Sequence, residues 1–204
     1  MPNIKVGKFI TQVILQNIEV EDIDLSNATD LRSAWVQNNP ALQKLDLSYS
    51  TIWGQGDKET EGNGTYGSSL MVLGCPILKE IKLPEKNELK AYRIDIECLD
   101  ALETFDMSNV KMVAELSIGD LNKDFNLVYP ELTIFYSEDG YAGTYFACSE
   151  NTFYRESTQA FLKANYTDID PDDTVRRLGY TSSLSYDKNK GCRWRTLLNK
   201  QNKV

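Results

Sequence analysis

The amino-acid sequence predicts an α/β fold: a solenoid of irregular short coils carrying a parallel β-sheet, then a small C-terminal α+β cap and a basic tail. Three observations predict it. The phrase apolar-Asp-apolar-Ser occurs at Ile23-Asp24-Leu25-Ser26, Leu45-Asp46-Leu47-Ser48 and Phe105-Asp106-Met107-Ser108. A longer apolar spacing that contains it recurs from residue 20 to residue 118. Beyond Tyr136 that spacing stops, and eight of the eleven tyrosines crowd between Tyr129 and Tyr186.

Extending the phrase backward by three residues gives L-x-x-L-x-L, with copies at Val20/Ile23/Leu25, Leu42/Leu45/Leu47, Leu78/Ile81/Leu83, Leu89/Tyr92/Ile94, Leu102/Phe105/Met107 and Val113/Leu116/Ile118. A seventh, degraded copy is expected from Leu132. Pro40, Pro76 and Pro130 each stand two residues before a copy. Apolar residues two apart share one face of a strand. Parallel strands stacked one per coil then bury an apolar ladder that no single coil buries alone. The first two copies are 22 residues apart, within the 20–29-residue range of one repeat class.

On these residues the stretch from about 18 to 136 resembles the leucine-rich-repeat family. The resemblance implies a solenoid whose exposed strand face binds proteins. The residues it places on that face include Asp24, Lys44, Asp46, Lys82, Arg93 and Asp106. The match departs from the family in two ways. The family's Asn after the phrase is replaced by Ala28, Ser50, Lys86, Glu97, Val110 and Leu121, and the steps between central residues run 22, 36, 11, 13 and 11. Steps near 11 are too short for a strand plus a helix. Such coils are half-length, or two adjacent units form one coil with a strand on each side. Residues 1–136 form the expected solenoid, 137–187 the cap and 188–204 the tail.

The 36-residue step contains residues 53–69, with five of the twelve glycines, and reads as a surface loop. Helical connectors are expected at residues 30–38 and 68–73. In the cap, residues 136–146 read as a turn leading into a strand, residues 149–165 as a helix, and residues 168–178 as a second short helix. Asp168, Asp170, Asp172 and Asp173 at its start fit a helix N-terminus. They fit a calcium loop poorly, because Pro171 interrupts the ligand spacing and Gly179 stands where the bidentate Glu belongs.

The chemistry-bearing residue types are sparse. The chain has no histidine, so the commonest general base and the usual activator of Ser or Cys nucleophiles are missing. No phosphate-cradling glycine motif is present. Cys75, Cys98, Cys148 and Cys192 form no C-x-x-C pair and read as buried free thiols. The expectation is a protein that is not an enzyme, with no catalytic residue, cofactor or metal. The net charge of −8 disfavours nucleic acid as a general partner. Six basic residues and no acidic one lie between Lys188 and Val204, and there Arg193, Trp194 and Arg195 are candidates for docking on a protein neighbour.

No apolar run reaches the ~18–20 residues that span a bilayer. The stretch Phe9–Val20 is too broken by polar residues for a secretory signal. A cytoplasmic or particle-bound location is therefore expected, with other protein subunits as partners. The Lys/Asn/Ile/Tyr-rich usage suits a bacteriophage virion component. The alternative is a secreted or injected effector or adhesin that reads a host surface through the repeat face.

Overall fold

A computed structural model of the chain describes residues 3–55, 68–122, 124–133, 137–138, 141–142, 145–165, 176–177 and 193–195. The first eleven strands are β1 (Asn3–Lys5), β2 (Gln12–Gln16), β3 (Asp22–Asp24), β4 (Ser33–Gln37), β5 (Lys44–Asp46), β6 (Ser69–Leu73), β7 (Glu80–Lys82), β8 (Leu89–Leu99), β9 (Thr104–Asp106), β10 (Val110–Leu121) and β11 (Asn126–Val128). They alternate between two sets. The even-numbered strands pair in parallel in the order β2-β4-β6-β8-β10. The odd-numbered three-residue strands pair in parallel as β1-β3, β5-β7 and β9-β11.

The rest of the chain continues the larger sheet. A two-residue hairpin, β12 (Ser137–Glu138) and β13 (Tyr141–Ala142), precedes β14 (Tyr145–Cys148), which pairs in parallel with β10. The main sheet thus has six parallel strands. Two short antiparallel ones, β16 (Arg193–Arg195) and β15 (Arg176–Arg177), lie beyond β14. The helices α1 (Glu150–Phe153) and α2 (Glu156–Asn165) follow β14, as expected for residues 149–165. Of the second expected helix only Arg176–Arg177 are described, and they are a strand. The four aspartates at its start lie outside the described residues, as does most of the glycine-rich insertion.

Register shows which residues build the core. Val13, Ala34, Leu70, Ile94, Leu116 and Phe146 are laterally paired across the six strands, as are Leu15, Val36, Val72, Ile96, Ile118 and Cys148. On the short strands the inward residues are Ile23, Leu45, Ile81, Phe105 and Leu127. Both sets belong to one hydrophobic core, which also buries Leu25, Leu47, Leu83 and Met107. Each fully buried aliphatic side chain contributes about 1.5–3 kcal/mol over its exposed state.

Four of the six expected copies, those centred on Ile23, Leu45, Ile81 and Phe105, fall on the short strands. The copies centred on Tyr92 and Leu116 fall on the opposite sheet. Steps of 11 and 13 therefore carry the chain from one strand set to the other. This alternation corrects three expectations. Residues 33–37 and 69–73 are strands, not helical connectors. Five residues between turns are too few for a stable helix, whereas Ala34/Val36 and Leu70/Val72 alternate with period two. Tyr92 is not an inward residue: Leu89, Ala91, Ile94 and Ile96 are buried, so the inward parity shifts between Ala91 and Ile94. The rung after Phe105 is Leu127, not a copy from Leu132, which lies outside any strand and packs on the core from its margin.

The corners repeat as well. Asn17, Asn38, Gly74 and Cys98, near the exits of β2, β4, β6 and β8, all have positive φ (55°, 53°, 63° and 55°). Asn and Gly tolerate this region best. Asn17 and Asn38 also stack, with Asn38 Nδ2 donating to Asn17 Oδ1 at 2.7 Å. The ladder of side-chain amides ends at Gly74, where a Cβ would stand 2.7 Å from Asn38 Oδ1. The neighbouring Asn39 is fully buried, and its Oδ1 accepts from the backbone N–H of Val20 (3.0 Å) and of Ala41 (3.3 Å). One side chain thus ties two successive turns together. Asn39→Ala leaves the Val20 N–H buried without its acceptor and is expected to lower unfolding free energy by about 1–3 kcal/mol. A urea titration in which the midpoint does not move would contradict that role.

Candidate functional site

Four surfaces carry the candidate residues. The first is the outward side of the short strands, where Asp24, Lys44, Asp46, Lys82 and Asp106 lie. Its aspartates have a local task. Asp24, Asp46 and Asp106 each accept, through Oδ1, the backbone N–H of the serine two residues on: Ser26 (2.9 Å), Ser48 (3.0 Å) and Ser108 (2.8 Å). This Asx-type turn explains the apolar-Asp-apolar-Ser phrase, because the carboxylate closes the turn that follows each strand. Lys44 pairs within its own strand with Asp46 (3.3 Å) and laterally with Glu80 (3.0 Å), while Lys82 pairs locally with Glu85 (2.9 Å).

These contacts shift the titrations. The hydroxyl and N–H of Ser26, with help from Lys5, hold Asp24 below the ordinary aspartate value. Burial is the largest single influence on Asp46 and raises it. The hydroxyl and N–H of Ser48 together with Lys44 outweigh that burial, and the net shift is downward. Glu80 and then Asp46 raise Lys44.

The second surface is the outer side of the main sheet, where Arg93 lies. The sequence places Arg93 on one face with Asp24 and Asp46, but the structure puts it on the opposite sheet. Ala91 of β8 and Ala114 of β10 are buried. Arg93 donates from Nη2 to Asp95 Oδ2 (2.8 Å) and approaches Glu115 with Nη1 (3.6 Å), while Tyr92 Oη donates to Glu115 Oε1 (3.3 Å). Ser117 Oγ donates to Glu97 Oε1 at 2.9 Å. Asp95 and Glu97 share a face two residues apart, but they are 0% and 3% exposed. The Arg93–Glu115 and Ser117–Glu97 contacts tie β8 to β10.

The third is the C-terminal segment. Arg193, Trp194 and Arg195 form β16 and pair antiparallel with Cys148, Ala147 and Phe146. At the same end of the sheet the core is closed by aromatic packing. Tyr129 stacks on Phe161 of α2 with ring centroids 4.5 Å apart, Phe146 lies 5.6 Å from Phe161, and Tyr129 Oη bonds Thr158 Oγ1 at 2.9 Å. Arg155 adds hydrogen bonds to the carbonyls of Phe125 and Asn122.

The fourth surface lies at the other end, on β2. No described strand pairs with its outer edge. Phe9, Ile10, Ile14 and Ile18, in and around β2, are 82%, 42%, 49% and 37% exposed, and they are four of the seven large exposed apolar residues recorded among the described positions. The run Phe9–Ile18 contains no charge and no proline. Edge strands are ordinarily guarded by just those residues, since an open edge is a template for pairing. Sequence reasoning missed this site because it tests the same stretch only as a secretory signal. The available signal was a charge-free, β-prone decapeptide, Phe9–Ile18.

No protein-family model matches the chain, and no curated protein or solved structure gives a significant match.

Among the described residues no group of three or more His, Cys, Asp or Glu is placed to hold a metal ion. No described helix is long and apolar enough to cross a membrane. Cys75 is free and buried, and burial pushes its thiol up to about 11, so it stays protonated at neutral pH.

The turn-closing aspartates give a pH prediction. A carboxyl whose folded pKa lies below its unfolded value stabilises the fold above the unfolded value, near 3.8, and loses that contribution as pH falls through the folded pKa. Wild-type stability is expected to decline below about pH 4, and an Asp24→Asn/Asp46→Asn variant to show a shallower decline. At neutral pH Asp46→Ala, which also removes the acceptor, is expected to cost about 1 kcal/mol. Thermal melts from pH 2.5 to 7 check both, and identical profiles for the wild type and the double variant would contradict the assignment.

Proposed function

We propose that the chain is a non-catalytic interaction or assembly component, a leucine-rich-repeat-like solenoid that engages other protein subunits through the open end of its strand stack. The observation that carries this reading is the unguarded β2 edge, flanked by exposed Phe9, Ile10, Ile14 and Ile18. A bare apolar edge of this kind marks an association surface or a hazard, and a folded chain that retains one has a use for it.

The repeat reading draws support from spacing. Laterally paired residues Leu70 and Ile94 are 24 apart, and Ile94 and Leu116, like Phe105 and Leu127, are 22 apart, all within the leucine-rich-repeat range. In this reading each coil carries a strand on both sides, so both sides are flat and the concave face of the family is replaced by two separate surfaces. The non-catalytic part rests on the sequence, which has no histidine, and on the burial of Asp95 and Glu97 beside Arg93 and Ser117.

Native mass spectrometry of the tagged full chain, isolated from its own source, tests the reading. The expected result is a mass above the 23.2 kDa of the single chain, with an Ile14→Lys/Ile18→Lys variant shifted toward that single mass. A chain found alone at every concentration, with the variant indistinguishable from wild type, would contradict it.

A further inference from the structure

We infer that the partner of the β2 edge is a second copy of this chain, joined across a two-fold axis by antiparallel pairing of β2 with itself, centred on Ile14. The inference rests on the assembly reading above and names its partner.

Hydrogen-bond direction comes first. Along a strand, the N–H and C=O groups of successive residues point alternately to the two sides. Thr11 O accepts Ser33 N–H (3.1 Å) and Asn17 N–H donates to Gln37 O (2.9 Å), so the odd-numbered residues of this segment face β4. The backbone groups of Gln12, Ile14 and Gln16 therefore face the open edge. Two-fold antiparallel pairing about Ile14 sets Ile14 opposite Ile14 as a hydrogen-bonded pair, and Gln12 opposite Gln16 as another, twice. Every edge-facing group of β2 is then satisfied.

The side chains agree with the same axis. The segment Ile10-Thr-Gln-Val-Ile-Leu-Gln-Asn-Ile18 reads nearly the same in both directions. Within β2, pairing about Ile14 sets Val13 against Leu15 and Gln12 against Gln16, and the chain turns away at Asn17, whose φ is 55°. Val13 and Leu15 are the outermost inward residues of the main sheet, and their counterparts in the second copy would extend the core rows. Ile14, 49% exposed in the single chain, would be covered by its counterpart, and the exposed Ile10 and Ile18 flank the two ends of the seam.

Among the described residues, a head-to-tail contact would have to join β2 to the outer edge of β15, whose two residues, both arginine, are too few to pair the five of β2. The far side of β14 is already taken by β16, which runs antiparallel to it. The β1 edge is guarded, because Lys5 is exposed and pairs with Asp24 at 3.6 Å. Self-association through β2 is therefore isologous and closes at two copies.

Cross-linking reads this register directly. Residues directly opposite in an antiparallel pair have Cα atoms about 4.5–5.5 Å apart, within disulfide reach. Under mild oxidation Ile14→Cys is expected to give a covalent dimer. A mixture of Gln12→Cys and Gln16→Cys chains is expected to cross-link at least tenfold faster than either alone, and wild type should give no dimer. Sedimentation equilibrium of wild type is expected to give twice the chain mass, and Ile14→Lys, at an exposed position that leaves the fold intact by circular dichroism, the single mass. A monomeric wild type at about 100 µM, growth beyond two copies, or a dimer that survives Ile14→Lys and leaves Ile14→Cys unlinked would overturn the proposal. Should native mass spectrometry instead find a different protein displaced by Ile14→Lys, the self-pairing fails while the assembly reading stands.

Discussion

The structure depends on the fact that no single turn of this chain can bury its own apolar residues. A three-residue strand such as Lys44-Leu45-Asp46 presents one inward side chain, and a five-residue strand such as Ser33–Gln37 presents two. Each becomes buried only when neighbours above and below, and the opposite strand set, close around it. Ala34, Val36, Leu70 and Val72 reach zero exposure in the middle of the stack, whereas Val13 and Leu15 at its first rung retain 8% and 9%. Lateral burial is therefore the main stabilising term, and it leaves two ends to be dealt with.

The two ends are handled differently. At one, Phe146, Tyr129 and Phe161 interlock and α2 covers the last rows, with β16 occupying the edge of β14. At the other, β2 offers backbone groups and isoleucines. Between the ends, charged groups serve the stack itself. The aspartates of the short strands close turns, and the Arg93–Asp95 and Ser117–Glu97 contacts bridge positions on the outer side of the main sheet. Most of the conspicuous polar residues are thus spent on local order, and the distinctive surface is apolar.

Much of the parallel architecture was legible in the sequence, because inward aliphatics two apart leave a readable period. The residues Leu25, Leu47, Leu83 and Met107 lie in one core, as the repeated phrase implies. What was not legible is which set a strand joins. Leu89/Tyr92/Ile94 satisfies the phrase numerically, yet Tyr92 faces away because the parity changes before Ile94. Strands 33–37 and 69–73 were hidden because five residues with two inward positions each are too short a run to separate period two from a helical spacing. Of the candidate site residues, Asp24, Lys44, Asp46, Lys82 and Asp106 fall on the short strands and Arg93 on the other sheet, since alternation between sets follows from connectivity and not from spacing. The β2 edge escaped because edge status is a property of neighbours, which a single strand's sequence does not encode.

The central claim is that consecutive strands alternate between two sets, so that lateral neighbours are a full circuit apart in sequence. Nuclear Overhauser contacts between backbone protons test it most directly. The account expects contacts between Leu45 and Ile81, Val36 and Val72, and Phe105 and Leu127. Contacts that instead place Tyr92 in one ladder between Ile81 and Phe105 would contradict it.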